Sequence, residues 1–222
     1  MMTLRPIGPL PTLHVALVLV FIPWSTLRAA RTAPAPDPSK RLQHYRNVCS
    51  MLVVFGLFSW LVAWRTGIRL ASAPRQPLLA WAAAAILVAL FYYALEPYRR
   101  LRVARRDPRA FMTAPDPGQL GWWALVSLSA GVAEELTYRG VASAILLYAG
   151  LPAWAVVLLV NAAFGLAHAT RGWIHVAATF GIGALLHILV LWSGSLWPAM
   201  AAHAVYDFFA GMSYSRMVRE TA

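Results

Sequence analysis

Seven stretches of the chain are long and apolar enough to cross the roughly 30 Å of hydrocarbon in a bilayer. They are Leu10–Leu27, Val48–Trp64, Leu78–Leu95, Leu120–Tyr148, Pro152–Ala169, Gly172–Trp192 and Leu196–Tyr214. The segments between them leave no room for a water-soluble second domain. Hydrophobic residues make up 60% of the chain and charged residues 12%, where a soluble domain has about a quarter charged. The sequence therefore predicts an all-α fold, a polytopic transmembrane helix bundle of about seven spans.

The formal charge of +11 raises the question of a nucleic-acid partner, but its distribution answers to a membrane. Arg28, Arg31, Lys40, Arg41 and Arg46 lie between the first two hydrophobic stretches, and Arg99, Arg100, Arg102, Arg105, Arg106 and Arg109 between the third and fourth. The loops of opposite parity carry only Arg5, Arg65, Arg69 and Arg75. The positive-inside rule then places the two basic loops in the cytoplasm, with the N-terminus outside and the C-terminus inside. Arg171, Arg216 and Arg219 fall inside under the same count. The expected partner is the lipid bilayer, and nucleic acid is not expected.

Cys49 is the sole cysteine, which excludes an intramolecular disulfide and a cysteine metal cluster. Arg5 followed by LHVALVLVFIPW has the layout of a signal peptide. The cleavage region fits badly, with Arg28 or Pro36 where a small residue is wanted, so a retained first helix is expected.

Two Pro-rich segments, Arg31–Ser39 and Asp107–Gly118, read as extended connectors, and the second separates unlike halves. Residues 1–109 hold hydrophobic helices with basic loops and only ordinary polar residues such as His14 and Ser59. Residues 110–222 hold Glu134, Glu135, Arg139, Asn161, His168, His175, His187, His203 and Asp207 at or near membrane depth. Ionisable groups there are costly and mark function. Small residues (Ser127, Ser129, Ala130, Gly131, Ala133, Gly181 and Gly183) predict close helix packing.

Glu135 and Arg139, four apart with the acid first, are placed for a helical ion pair. Glu134 lies about 100° round the helix from Glu135 and needs a partner from elsewhere. Phe164 and His168 are four apart, as are His203 and Asp207. If their helices converge, Glu134, His168, His203 and Asp207 offer two carboxylates and two imidazoles. That set suits a carboxylate acting as general base on water with help from histidine, or a divalent cation such as zinc with a position open for water. Either leads to hydrolysis. Helix gluing by polar contacts and a proton-coupled carrier are the alternatives. The carrier lacks an inverted repeat in its support. His14, His175 and His187 read as packing or interfacial residues.

Glu134-Glu135-x-x-x-Arg139, Phe164-x-x-x-His168 and His203-x-x-x-Asp207 within GSLWPAMAAHAVYD resemble the three motifs of the CPBP family of intramembrane proteases, over about Leu120–Gly211. That family contains the type II CAAX prenyl endopeptidases and many bacterial Abi-type members. The resemblance implies a bacterial inner-membrane endopeptidase cutting near the C-terminus of a membrane-anchored substrate, a CAAX-like or sorting tail. It implies Glu134 as activator of water and His168 as its assistant or a metal ligand. His203 and Asp207 would stabilise the oxyanion, while Glu135 and Arg139 hold the helix in register. A non-proteolytic scaffold or bacteriocin-immunity protein is the non-enzyme alternative.

The last motif position, often Asn in the family, is Asp207 here. An ionised aspartate repels an oxyanion, so Asp207 is either kept neutral, orients His203, or completes a metal site. One tension is geometric. With a helix starting at Leu120, Glu134 lies ~21 Å along it, whereas His168 sits near the cytoplasmic end of the fifth stretch. A fifth helix running past Arg171, or a fourth that is kinked and begins earlier, would relieve this. A further break near Gly140 is expected, since Leu120–Tyr148 makes ~44 Å of helix.

Overall fold

The structure, a computed structural model, describes residues 8–70 and 72–221, and every regular element among them is helical. Arg5 lies outside the described residues. Helix α1 spans Pro9–Thr32. It widens into a π-helical turn at Leu17–Phe21, just ahead of Pro23, whose missing N–H interrupts an α-helical ladder. Helix α2 is Arg41–Thr66, closed by Gly67 at φ 76°, a left-handed residue of the kind that ends helices at low steric cost. Helices α3, Pro77–Ala94, and α4, Glu96–Ala104, are joined at Leu95. Helix α5 is Pro108–Thr113.

Helix α6 runs over Leu120–Glu134, continues as a π-helix over Glu135–Ala142 and finishes at Ser143–Tyr148. Helices α7, Ala153–Leu166, α8, Trp173–Ser193, and α9, Trp197–Glu220, complete the bundle. The all-α membrane bundle is as expected. Four helical stretches are long and apolar enough to cross a membrane: Pro9–Thr32, Pro38–Thr66, Pro77–Ala104 and Trp173–Ser193. The other three of the seven hydrophobic stretches contain α6, α7 and α9, which carry Glu134, Asn161 and His203.

Three local expectations are corrected. The segment after Asp107 is not wholly extended: Pro108 occupies the first helical turn, where its missing N–H costs nothing, and Asp107 caps α5 by accepting from the Arg109 amide at 3.0 Å. There is no break at Gly140. The helix stays continuous by widening, and the Ser143 hydroxyl donates to Tyr138 O, five residues back, at 2.7 Å. Neither relief of the His168 tension occurs, since α6 starts at Leu120 and α7 stops at Leu166.

At the centre α6 packs between α2 and α9, while α3 and α8 close round α9 and α1 lies against α7. Large apolar side chains, among them Trp24, Trp60, Trp81, Trp154 and Trp192, are exposed, as a lipid-facing surface requires. Buried apolar contacts fill the interior, with Val18 of α1 packed among Tyr138, Val156, Val160 and Phe164. The first helix is thus built into the core. It is also tied by polar contacts: His14 Nε2 meets the Ser59 hydroxyl at 3.0 Å, which meets Thr137 at 2.8 Å. Thr26 donates to Leu166 O at 2.8 Å.

The approach of α6 to α9 depends on Gly131. A Cβ there would lie 2.7 Å from Met200 O and 2.8 Å from both Ala204 Cβ and Ala204 N, and backbone cannot yield as a side-chain tip can. Gly131→Ala is therefore expected to destabilise the bundle by about 1–3 kcal/mol, the usual cost of overpacking. A lowered thermal transition in detergent checks this, and an unchanged transition refutes it.

The basic connectors gather at one end. Arg41 donates to Phe111 O at 2.9 Å and to Gln119 at 2.7 Å, and pairs with Asp116. Arg109 donates to Thr170 O at 2.6 Å, and Ser215 near the end of α9 to Pro115 O at 2.7 Å. At the other end the Arg75 amide donates to Ser193 O at 2.9 Å and Ser195 to Ser72 O at 2.7 Å.

Candidate active site

Glu134 is the last α-helical residue of α6 and Glu135 the first of its π segment. Across from them α9 presents His203, and the close α6–α9 packing brings both carboxylates to that one imidazole. Glu135 Oε1 lies 2.9 Å from His203 Nδ1, while Nε2 lies 3.7 Å from Glu134 and 3.6 Å from Asp207. The expected separation of the two glutamates, one paired and one facing elsewhere, is therefore only partly realised. They address opposite nitrogens of the same ring.

Glu135 and Arg139 form the expected pair, Nη1 to Oε1 at 2.9 Å, with both side chains fully buried. The pair is the middle of a longer chain. Arg139 Nη2 donates to Asn161 Oδ1 at 2.9 Å, Asn161 Nδ2 meets His187 Nδ1 at 3.0 Å, and His187 Nε2 meets the Ser143 hydroxyl at 3.2 Å. The Arg139 guanidinium also lies over the Phe164 ring, 4.1 Å from its centroid, a cation–π contact. Gly183 makes room for this: a Cβ there would collide with Arg139 Nη2 and sit 2.7 Å from Asn161 Oδ1.

Because its Nδ1 faces a carboxylate, His203 holds the proton on that nitrogen and turns Nε2 toward the site. Glu134 has no hydrogen bond among the described residues and is half-buried, as is Asp207. Gaps of 3.6 and 3.7 Å are too long for direct hydrogen bonds and fit groups that share a water.

Glu134, His203 and Asp207 line a cavity of about 660 Å³ together with Phe164, His168 and His175. His168 lies beyond the end of α7, in the turn before Ala169–Arg171, and its Nδ1 is tied to Phe164 O at 2.8 Å. The Phe164 ring stands 4.9 Å from the His168 ring and 6.1 Å from that of His203. His168 therefore joins the cavity, and among the described residues it forms no hydrogen bond or ion pair with Glu134, His203 or Asp207. His175 lies 6.0 Å from His168, lining the cavity as well. His14 and His187 are buried and hydrogen-bonded to other polar side chains.

Among the described residues no group of three or more His, Cys, Asp or Glu side chains is arranged to hold a metal ion. The expected cation ligands, Glu134, His168, His203 and Asp207, all line the cavity.

The hold of Glu135 on His203 and the parts of Asn161, His187 and Gly183 were not assigned from sequence. Asn161 carried a signal: with Phe164, Gly165 and His168 it follows a 3, 4, 7 spacing, one helix face.

The site thus sets carboxylates and an oriented histidine on an internal cavity of a helical membrane bundle. Residues 116–209, less than half of the chain, match the family model described as Type II CAAX prenyl endopeptidase Rce1-like, so this stretch is similar to that family. The chain is a multi-pass helical membrane protein with a stretch similar to CAAX-type endopeptidases. No curated protein and no solved structure matches it.

Proposed function

We propose that the chain hydrolyses a peptide bond near the C-terminus of a membrane-anchored substrate, a CAAX-like or bacterial sorting tail, with Glu134 as general base. The carrying observation is the His203 imidazole, fixed by Glu135 on Nδ1 and turned on Nε2 toward two half-buried carboxylates in a large cavity. Glu134 takes a proton from water as the oxygen attacks the scissile carbonyl carbon. The carbonyl π electrons move to oxygen, and His203, protonated on Nε2 as well as Nδ1 among the carboxylates of Glu134, Glu135 and Asp207, donates Nε2–H to the oxyanion, an interaction whose loss costs about 10²–10³ in rate. Collapse breaks the C–N bond, and Glu134 returns its proton to the leaving amine. His168, set apart by Phe164, binds the substrate peptide or a water entering the site.

Catalysis is assigned to residues 110–222, with helices of residues 1–109 closing the cavity through Phe21, Ile22, Leu52 and Phe55. The setting is a bacterial inner membrane, with the N-terminus outside and the C-terminus in the cytoplasm. Supporting this are the basic connectors joined at one end with the close of α9 and the positive-inside rule.

The test is cleavage of a prenylated tail peptide by purified protein in nanodiscs, read by mass spectrometry. Wild type is expected to cut and His168→Ala to lose at least tenfold in kcat/KM. Activity is expected to survive exhaustive chelation, and Asp207→Asn to retain or raise kcat, since an amide donates to an oxyanion without repelling it. Loss of activity on chelation, restored by zinc, would instead establish the metal-dependent mechanism. Binding of the tail without cleavage would favour the scaffold or immunity reading.

A further inference from the structure

The basic run that follows α3 divides into cations with partners and cations without. Arg99 and Arg102 turn inward, at 2% and 5% exposed. Arg102 pairs with Asp107 at 2.9 Å, Arg100 with Glu96 at 2.6 Å, and Arg109 donates to Thr170 O. Asp107 is engaged on both oxygens, one by the Arg102 guanidinium and the other by the Arg109 amide. Burial raises its carboxyl, but these two partners outweigh that and hold it below the usual carboxylate range. Arg105 and Arg106 remain. Both are exposed, and among the described residues neither side chain makes a hydrogen bond or an ion pair.

Arg106 also stands in a conformation that an arginine avoids. Its φ is 50°, and among the described residues it is the one left-handed residue other than glycine. It follows the last turn of α4 and closes a Schellman motif, its amide donating to Val103 O at 2.9 Å and that of Asp107 to Arg102 O at 3.0 Å. That position ordinarily takes glycine, which carries no Cβ to clash there. The chain keeps to this elsewhere: Gly67 (φ 76°) ends α2, Gly150 (φ 90°) follows α6 and Gly194 (φ 70°) ends α8. A left-handed arginine is held at a conformational cost that glycine would remove, and strain of this kind points to a task for the side chain.

The place of the turn says which task. Pro77–Ala104 is 28 residues long, about 42 Å at 1.5 Å per residue, against roughly 30 Å of hydrocarbon. Arg105 and Arg106, immediately beyond it, therefore stand at the level of the headgroups. Leu101, four residues before Arg105 and on the same helix face, is exposed, as at a lipid-facing surface. Neither arginine lines the cavity.

We infer that Arg105 and Arg106 form a binding site for the headgroup phosphate of an anionic phospholipid, whose acyl chain lies over Leu101. Two adjacent cations without a counter-ion suit a lipid of net negative charge better than a zwitterionic one, and guanidinium groups bond phosphate oxygens through paired N–H donors. This site lies outside the cavity and does not depend on the proteolytic reading.

The experiment measures thermal unfolding of the protein in nanodiscs of phosphatidylcholine alone and of phosphatidylcholine with phosphatidylglycerol. Wild type is expected to melt about 3–6 °C higher in the anionic discs, since a ligand that binds only the folded state raises the transition. Arg105→Gln with Arg106→Gln is expected to lose at least half of that rise. Arg28→Gln with Arg31→Gln, two exposed cations near the close of α1, is expected to keep most of it. Arg106→Gly separates strain from charge: in phosphatidylcholine alone it is expected to melt about 2–4 °C above wild type, and its anionic rise is expected to shrink. Each variant is compared with itself in two lipids, so a change in its own stability does not mimic the result. An equal rise for all variants, or an equal loss from both pairs of substitutions, overturns the proposal by leaving only a diffuse surface charge. So does a rise of the same size on adding soluble glycerol phosphate to phosphatidylcholine discs, which assigns the arginines to a free anion. Arg106→Gly melting no higher than wild type in phosphatidylcholine removes the strain, and with it the assignment of Arg106.

Discussion

Glu134→Gln is expected to lower kcat by about 10²- to 10⁴-fold, the range for removing a general base, with little change in thermal stability. The asymmetry follows from its surroundings. Among the described residues Glu134 makes no hydrogen bond, and it faces the cavity half-buried with His203 Nε2 at 3.7 Å. Glutamine keeps its volume and leaves no partner stranded, so the fold loses almost nothing. It has no lone pair basic enough to take a proton from water, so the reaction loses its first step. The loss is expected in kcat more than in KM, because a group acting on water contributes mainly in the transition state. Progress curves with a fluorogenic tail peptide, beside a thermal melt of the same preparation, check both halves. Activity within threefold of wild type would remove Glu134 from the base role and turn attention to Asp207, the other half-buried carboxylate beside His203 Nε2.

Much of this site could be named from sequence because its pairs are local. The spacing of Glu135 and Arg139 fixes their meeting whatever surrounds them, and they form their ion pair as expected. Contacts that depend on how two helices are set against each other were beyond that reading. Which nitrogen of His203 faces Glu135 depends on the register of α6 against α9. That register is fixed by the absence of a side chain at Gly131 beneath Met200 and Ala204, and sequence marked Gly131 only as a packing residue. The π-helical widening over Glu135–Ala142 changes which side chains share a face in a way that 100° per residue does not describe.

His168 was hidden for a different reason. A four-residue spacing from Phe164 implies a common helix, whereas α7 ends at Leu166 and a backbone turn carries the histidine into the cavity. Arg99 and Arg102 count as loop charges in the sequence because they lie beyond the third hydrophobic stretch, which ends at Leu95. Proline in the first turn of α4 is harmless, and the continued helix buries their shared face. What sequence misses here is the long-range arrangement, in which a charge counted for topology also lines a cavity.

Glu135→Gln is expected to act the other way round, costing stability first. Its carboxylate is fully buried and is the nearest anion to a fully buried Arg139, at 2.9 Å. Removing one partner of such a pair leaves an uncompensated charge, which costs about 3–5 kcal/mol. The residue also holds His203 Nδ1, so activity is expected to fall in whatever fraction remains folded, because the imidazole loses the contact that fixes its tautomer and tilt. A second substitution separates the two effects. Glu135→Gln combined with Arg139→Met removes both charges, and replacing a buried pair with apolar volume is often close to neutral. Stability is then expected to recover in large part while activity stays low, since the His203 anchor is still missing. Urea or thermal unfolding in a mild detergent gives the first quantity and peptide cleavage the second. If the single variant unfolds within 1 kcal/mol of wild type, by the same conversion of a buried-pair loss, Arg139 is compensated elsewhere. If the double variant recovers activity along with stability, Glu135 serves only to neutralise the arginine, and His203 is oriented by Asp207 instead.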